Sequence, residues 1–319
     1  MSDVIANTGY DVVVVGAGAA GLNAALVLSR ARRRVAVVDA GEPRNAPAAH
    51  MHGFLSRDGM PPAALLEVGR AEAAGYGTAF IDGRVDHVER AGPGFSVRLT
   101  GGAALDARRL VVATGLRDEL PDIPGLAERW GRDVLHCPYC HGYEVRDRPL
   151  GVLGSSPGAV HQALLLRQWS EDVVLFTHTL DLTAGDRERL TARGVRLIGG
   201  RIKRVTRDGV SGVELADGRT VPRAAVFVFP RMVPNDALLT ALGCRTEDGW
   251  VATDRTGRTS VPGVWAAGNV ADPRAQVVTA AGMGAAAAFA VNADLLDEDV
   301  DRAVQRHRDA AALAGGEGR

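Results

Sequence analysis

"YDVVVVGAGAAGLNAALVLSRARRRVAVVDA", Tyr10 to Ala40, sets the architecture of this chain. Val12 to Val15 form a short β-branched run without alternation, the pattern of a strand buried on both faces in a parallel sheet. A glycine-rich turn follows. A helix is predicted from about Ala20 to Arg30, then a second strand over Val35 to Val38 that ends at Asp39. The turn "GAGAAG" has G-x-G-x-x-G spacing. Gly16 permits the tight bend, Gly18 lets the backbone approach a pyrophosphate, and Gly21 lets helix and strand pack closely. Ala19 and Ala20 open the helix, whose N-terminal amides and partial positive charge suit phosphates. Asp39, about 20 residues on, is placed to accept ribose hydroxyls. The turn alone is a weak signal and also reads as a loop without a ligand. The whole strand-turn-helix-strand-acid unit is a strong signal for a dinucleotide.

A second start of the same kind lies at "PLGVLGSSPGAVHQALLLRQWSEDVVLFTH", Pro149 to His178. Two such units predict an α/β chain with two Rossmann-like domains, and 319 residues suffice to build them. The net charge of -1 gives no reason to expect a nucleic acid or an anionic membrane as partner. The stretch "MSDVIANTGYD" has no basic segment followed by an apolar core, so no secretory signal is expected. The small-residue run Ala280 to Leu296 is shorter than a membrane span and carries Asn292 and Asp294. A cytoplasmic protein is the expectation. The final "AALAGGEGR" is expected to fray.

"HCPYCHGYE", His136 to Glu144, holds two of the three cysteines. In a reducing compartment such a pair is more often catalytic or metal-binding than structural. Pro138 suits the first position of a helical turn, with Cys137 as N-cap, where the helix dipole favours the thiolate. Cys137, Cys140, His136 and His141 can be drawn as a metal set. Adjacent residues converge poorly on a tetrahedral ion, however, and no second cluster follows at finger spacing, so no metal is expected. Cys244 stands alone and reads as a small buried apolar residue.

Two further stretches, "RRLVVATGLRDELPDIPGL" (Arg108 to Leu126) and "TSVPGVWAAGNVADP" (Thr259 to Pro273), carry a resemblance. With the nucleotide unit, they resemble the two-domain flavoprotein disulfide reductases of the low-molecular-weight thioredoxin reductase type. The resemblance implies FAD as cofactor and a homodimer. It implies that Ala113, Thr114 and Gly115 return the chain beneath the FAD and that Gly263 to Gly268 hold its ribityl chain. Asn269 stands where that family has Asp; its amide can still bond a hydroxyl but adds no negative charge. The helix after Gln276 and Val277 would face the flavin with its positive end. The layout implied is an FAD domain over 1–117 and 245–319, with an inserted NAD(P)-type domain over 118–244. At the start of that insert, against the flavin, the family carries its C-x-x-C. Cys140 is then the flavin-side sulfur, and Cys137 exchanges with substrate. The acid usual after the second cysteine is His141 here, a residue that can take and return a proton near neutral pH. His136 is a second candidate. Either histidine also reads as an ordinary local polar residue.

The second turn departs from the reductase pattern. In "LGSSPGAV", Ser156 takes the place of the second glycine and Pro157 removes a backbone donor. After the next strand, Thr179 and Leu180 stand where basic residues would meet a 2′-phosphate. Alternatively, Gly158 restores the turn in another register and Arg187 or Arg193 substitutes. A flavin and a dithiol without a convincing nicotinamide site look like the FAD-dependent dithiol oxidases of disulfide natural products, the gliotoxin and holomycin types. That resemblance implies a small-molecule dithiol as substrate, O2 as acceptor, hydrogen peroxide as by-product, and a role in antibiotic biosynthesis or self-protection. An NADPH-dependent disulfide reductase and a flavin-bound redox sensor are the other readings. "AAHMHGFLSRDGM", Ala48 to Met60, resembles the segment bordering the flavin; His52 and Phe54 read either as substrate contacts or as packing.

Overall fold

The valine run lies at the centre of a parallel sheet. In the computed structural model, which describes residues 9–206 and 212–316, β1 (Gly9–Val15) runs into α1 (Ala19–Arg30) and β2 (Val35–Asp39). Val12, Val13 and Val14 are fully buried, as expected for a strand covered on both faces. Helix α2 (Pro62–Gly75) leads to β3 (Ala79–Asp82), and β4 (Val85–Ala91), β5 (Gly94–Leu99) and β6 (Ala104–Val112) follow. The residues before Gly9, in which no secretory signal was expected, lie outside the described residues.

The described residues fall into two compact units, one within Met1–Pro43, Ala64–Leu116 and Pro234–Arg319, the other within Arg44–Ala63 and Arg117–Val233. The sequence-based division at 117/118 and 244/245 differs in two places. The chain returns to the first unit at Pro234, and Arg44–Ala63 packs with the second. Local ties explain the latter: Arg44 makes two 2.7 Å bonds to Asp118, and Gly131 comes so near Pro47 that a Cβ there would lie 2.7 Å from its carbonyl.

The first unit is built on the sheet β3-β2-β1-β6-β5-β4. Strand β6 is shared along its length. Its start pairs antiparallel with β5, and its end pairs parallel with the late strand Val264–Ala266. The last helix, Val277–Gly316, packs on α1 through glycine: a Cβ on Gly284 would lie 2.0 Å from the Ala20 carbonyl. By length and composition this helix could cross a membrane. One face of it packs in the first unit. Ala280, Ala287, Ala288, Val291 and Leu295 are buried, and Asn292, Asp294 and Asp299 are engaged by Arg33, Arg109 and Arg258. The tail expected to fray is helical through Gly316, and the last three residues lie outside the described ones.

In the second unit, β7 (Leu116–Glu119) is followed by β8 (Val134–Leu135), α3 (Pro138–His141), β9 (Leu150–Leu153), α4 (Gly158–Leu166), β10 (Val173–Phe176), α5 (Ala184–Ala192) and β11 (Arg196–Ile198). Three antiparallel strands, β12 (Ile202–Thr206), β13 (Gly212–Leu215) and β14 (Thr220–Pro222), precede β15 (Ala225–Val228). The order β11-β10-β9-β15-β8 is parallel throughout. The α/β class, with a Rossmann-like sheet in each unit, is as read from the sequence.

Replacing Gly284 by Val is expected to push α1 and the last helix apart and cost roughly 1–3 kcal/mol, the usual scale of overpacking. The thermal unfolding midpoint measures it. A parent-like midpoint means that the contact yields without cost.

Candidate active site

Parallel strands end their loops on one edge of the sheet, and open α/β sheets bind ligands there, where the strand order switches. The first unit's switch falls at β1, between β2 and β6. Gly16, Asp39, Ala113–Gly115 and Gly268–Asn269 all follow the carboxyl ends of strands in this sheet. Backbone bonds lock those loops in register: Gly16 N–H to Val38 O at 2.8 Å, Ala113 N–H to Val15 O at 2.8 Å, Ala267 N–H to Val112 O at 3.0 Å.

Each glycine has a separate reason. Gly16 has φ +102°, and a Cβ there would meet the Ala113 carbonyl at 2.5 Å. A Cβ on Gly21 would lie 1.8 Å from the Gly16 carbonyl, so only glycine lets α1 pack on the turn. Gly18, the N-cap of α1, has nothing within 4 Å of its Cβ direction. That open face beside the free amides of Ala19 and Ala20 fits a pyrophosphate.

Asp39 is used twice by the protein itself. One carboxylate oxygen accepts from Ala17 N–H at 2.9 Å and the other from Arg70 at 2.7 Å. The acid therefore also fixes the glycine turn. Thr114 donates its hydroxyl to Asn235 O at 2.7 Å, and Asn235 returns bonds to Thr114 O and Gly115 O, each at 2.9 Å. Asn269 spends its amide nitrogen on Asp272 O and Ala275 O at 2.9 and 3.0 Å, closing the turn before Gln276 and Val277, where the last helix starts. Arg70 and Asn235 were missed in the sequence, where nothing distinguishes them from other arginines and asparagines.

In the second unit, β8 delivers the dithiol to the carboxyl edge of its own sheet. Pro138 opens α3, and Cys137 is its N-cap, the sulfur accepting Cys140 N–H at 3.2 Å. Cys137 and Cys140 are joined as a disulfide, with 5.2 Å between Cα atoms. Among the described residues no group of three or more His, Cys, Asp and Glu is arranged to hold a metal ion. His136 is tied by Nδ1 to Val228 O at 3.2 Å and packs edge-on against Phe229 at 5.3 Å. Burial pushes its proton affinity below the ordinary histidine range, and the Val228 carbonyl opposes this. His141 is also lowered by burial, with Glu144 and the Cys137 backbone carbonyl opposing this, and its Nδ1 is buried. Cys244 is buried beside Thr259, and burial raises its thiol above the usual range.

The second glycine-type turn follows β9 on the same edge. Ser156 donates to Phe229 O at 3.4 Å, and Pro157 is the N-cap of α4. The Phe229 ring lies against Gly158, where a Cβ would come within 2.7 Å of it. His178, ahead of Thr179 and Leu180, is spent on Ile202 N–H at 2.9 Å. Arg193 lies beside Leu164, six residues and ~9 Å along α4 from Gly158.

A nucleotide cradle in one unit and a C-x-x-C disulfide at a parallel-sheet edge in the other define a flavin-dependent thiol–disulfide oxidoreductase. The chain belongs to the pyridine nucleotide-disulphide oxidoreductase family, which matches residues 10–285. It is 32% identical over 319 residues to thioredoxin reductase sirT of Leptosphaeria maculans, covering 91% of this chain and 96% of that one. The crystal structure of HlmI aligns with a TM-score of 0.93 at 68% identity, covering 95% of this chain and 98% of the other. An oxidoreductase from Agrobacterium tumefaciens aligns with a TM-score of 0.86 at 40% identity, over 90% and 99%.

Both histidines are expected to be neutral at pH 7. A folded-state proton affinity below the unfolded one gives stability that is complete above the ordinary range near 6.5 and is lost as pH falls through the folded value. Stability should therefore drop on acidification below neutrality, and His136→Gln should flatten part of that slope. Chemical denaturation across pH checks it; an unchanged slope contradicts the assignment for His136.

Proposed function

We propose that this protein is an FAD-dependent oxidase that converts a small-molecule dithiol to its intramolecular disulfide. Its setting would be cytoplasmic and its assembly a homodimer. The observation that carries the choice of oxidase over reductase is the turn after β9. Ser156 is turned inward onto Phe229 O, Pro157 has no N–H to offer, and the Phe229 ring covers Gly158. A nicotinamide dinucleotide needs that surface as bare backbone. What favours the second reading, an NADPH-dependent reductase, is the sheet beneath the turn, which keeps its Rossmann order with β9 at the switch point.

The residues proposed to hold FAD are those at the first sheet's carboxyl edge. Gly16, Gly18, Ala19, Ala20 and Gly21 would take the pyrophosphate, Asp39 the ribose, and Ala113–Gly115, Gly268, Asn269, Gln276 and Val277 the flavin half. Bound there, FAD supplies a two-electron acceptor that O2 can reoxidise, with hydrogen peroxide as product.

The protein's own steps are thiol–disulfide exchange. One substrate thiolate attacks Cys137 Sγ, breaking its bond to Cys140, which leaves as a thiolate. The second substrate thiol loses its proton and attacks the substrate sulfur of the mixed disulfide, releasing Cys137 as a thiolate. The substrate has lost two electrons and two protons; the cysteine pair has gained the electrons. His141, its proton affinity lowered by burial, is suited to accept the second thiol's proton. The Cys137 sulfur already receives Cys140 N–H, a bond that also stabilises a thiolate there.

Without oxygen, excess NADPH is expected to leave the flavin yellow, a small dithiol to bleach it, and air to restore the colour with peroxide formed. Rapid stoichiometric bleaching by NADPH would promote the reductase reading. The sulfur roles have their own test. Cys137→Ser leaves Cys140 as the free thiol and should show a long-wavelength thiolate-to-flavin band, whereas Cys140→Ser should not. The reverse pattern exchanges the two roles.

A further inference from the structure

We propose that Arg70 is a positioning residue for Asp39, holding its carboxylate to read two neighbouring hydroxyls of a ribose; this rests on the reading of Asp39 as the ribose acceptor. Arg70 stands on α2, outside the strand-turn-helix-strand unit that carries the nucleotide motif. The helix is seated on that unit one residue earlier: a Cβ on Gly69 would lie 3.1 Å from the Leu22 side chain of α1. From there the guanidinium reaches the end of β2, with Nη2 2.7 Å from Asp39 Oδ2.

The guanidinium is fixed on two further sides. Its central carbon lies 4.9 Å from the centre of the Phe80 ring, and Nη1 is 3.6 Å from Asp82. Both residues stand on β3, where Asp82 lies opposite Asp39 in the sheet. A planar cation stacked on a ring and forked between two carboxylates has little rotational freedom. The Arg70 and Asp39 side chains are 32% and 19% exposed, so the pair is partly shielded from water.

Asp39 is thereby held at both oxygens. Oδ1 accepts Ala17 N–H at 2.9 Å, and Oδ2 accepts from Arg70. A carboxylate offers about four acceptor positions, shared between its two oxygens. The protein takes one on each, which leaves roughly one on each for a ligand. Two acceptors side by side match a vicinal diol, the pattern of the adenosine ribose in FAD. Loss of Arg70 has two separable effects. Asp39 loses its fixed orientation, which weakens only ligands that carry the hydroxyls. The site also loses a positive charge, which weakens every phosphate-bearing ligand alike. A ratio of affinities cancels the second effect and isolates the first.

The experiment titrates full-length holoprotein with ADP and, separately, with 2′,3′-dideoxy-ADP, and follows FAD release by its fluorescence. In the parent, ADP should displace FAD at a concentration roughly tenfold or more below that of the dideoxy compound, the scale of hydrogen bonds to a charged acceptor. Arg70→Gln should hold FAD less tightly in both titrations, and its preference for ADP should fall to about threefold or less. Asp39→Asn should also lower the preference, and the double variant should lower it no further. Arg70→Lys keeps the charge without the fork, so its preference should lie between parent and Arg70→Gln. Three results overturn the proposal: a parent-like preference in Arg70→Gln, losses that add in the double variant, or, where Arg70→Gln is isolated without FAD, a parent-like preference in Arg70→Lys. A parent that does not prefer ADP is a different failure: it removes the ribose reading of Asp39 itself.

Discussion

The carboxyl edge of a parallel sheet is the constraint on which the rest depends. In the first unit, four strands point their ends at one line, and three backbone hydrogen bonds hold the loops that leave them. Gly16, Ala113 and Ala267 each donate to the neighbouring strand's last carbonyls. A loop so fixed has little freedom, and the close approach it requires is what makes Gly16 and Gly21 obligatory: their Cβ atoms would overlap backbone carbonyls. The nucleotide cradle follows from strand direction together with the steric demand of packing a helix on a turn.

That constraint explains how much could be read from the residues alone. The strand-turn-helix-strand units at Tyr10 and Pro149 were legible because buried parallel strands are written as short uninterrupted runs without polar residues and turns as glycine. Cys137 as N-cap and Pro138 as first helical residue were legible for the same local reason. Contacts between distant segments were not. Nothing in the composition of Arg44–Ala63 shows that it packs with the second unit, since its ties are a guanidinium–carboxylate pair 74 residues apart and a proline beneath Gly131. Asn235 clamps Thr114 across 121 residues, and Arg70 takes one oxygen of Asp39 across 31. Periodicity carries no record of such pairs.

The two sheets use one rule to different ends. In the first, the turn after β1 leaves Gly18 open. In the second, the turn after β9 is filled by the protein's own Ser156 and Phe229. Phe229 faces two ways: its ring lies against Gly158 on one side and against His136 on the other. Gln162, buried in α4, donates to His136 O at 2.6 Å and so ties the start of the dithiol turn to the helix behind it. At this sheet edge Phe229 and Gln162 thus form packing for the segment that carries the disulfide.

This exchange has an electrostatic side. A bare helix N-terminus attracts anions, and a phosphate beside the C-x-x-C would disfavour the thiolates that reduction creates there. Phe229 lies over Gly158, and burial lowers the proton affinity of His136 beside the dithiol. In the proposed exchange, a thiolate at Cys137 would rest on the Cys140 N–H of its own turn and on a proton moved by His141. Burial lowers the proton affinity of His141, and Glu144 and the Cys137 carbonyl oppose this. In the proposed exchange, a substrate's thiols are stronger acids than a serine hydroxyl or water, so a modest base would suffice.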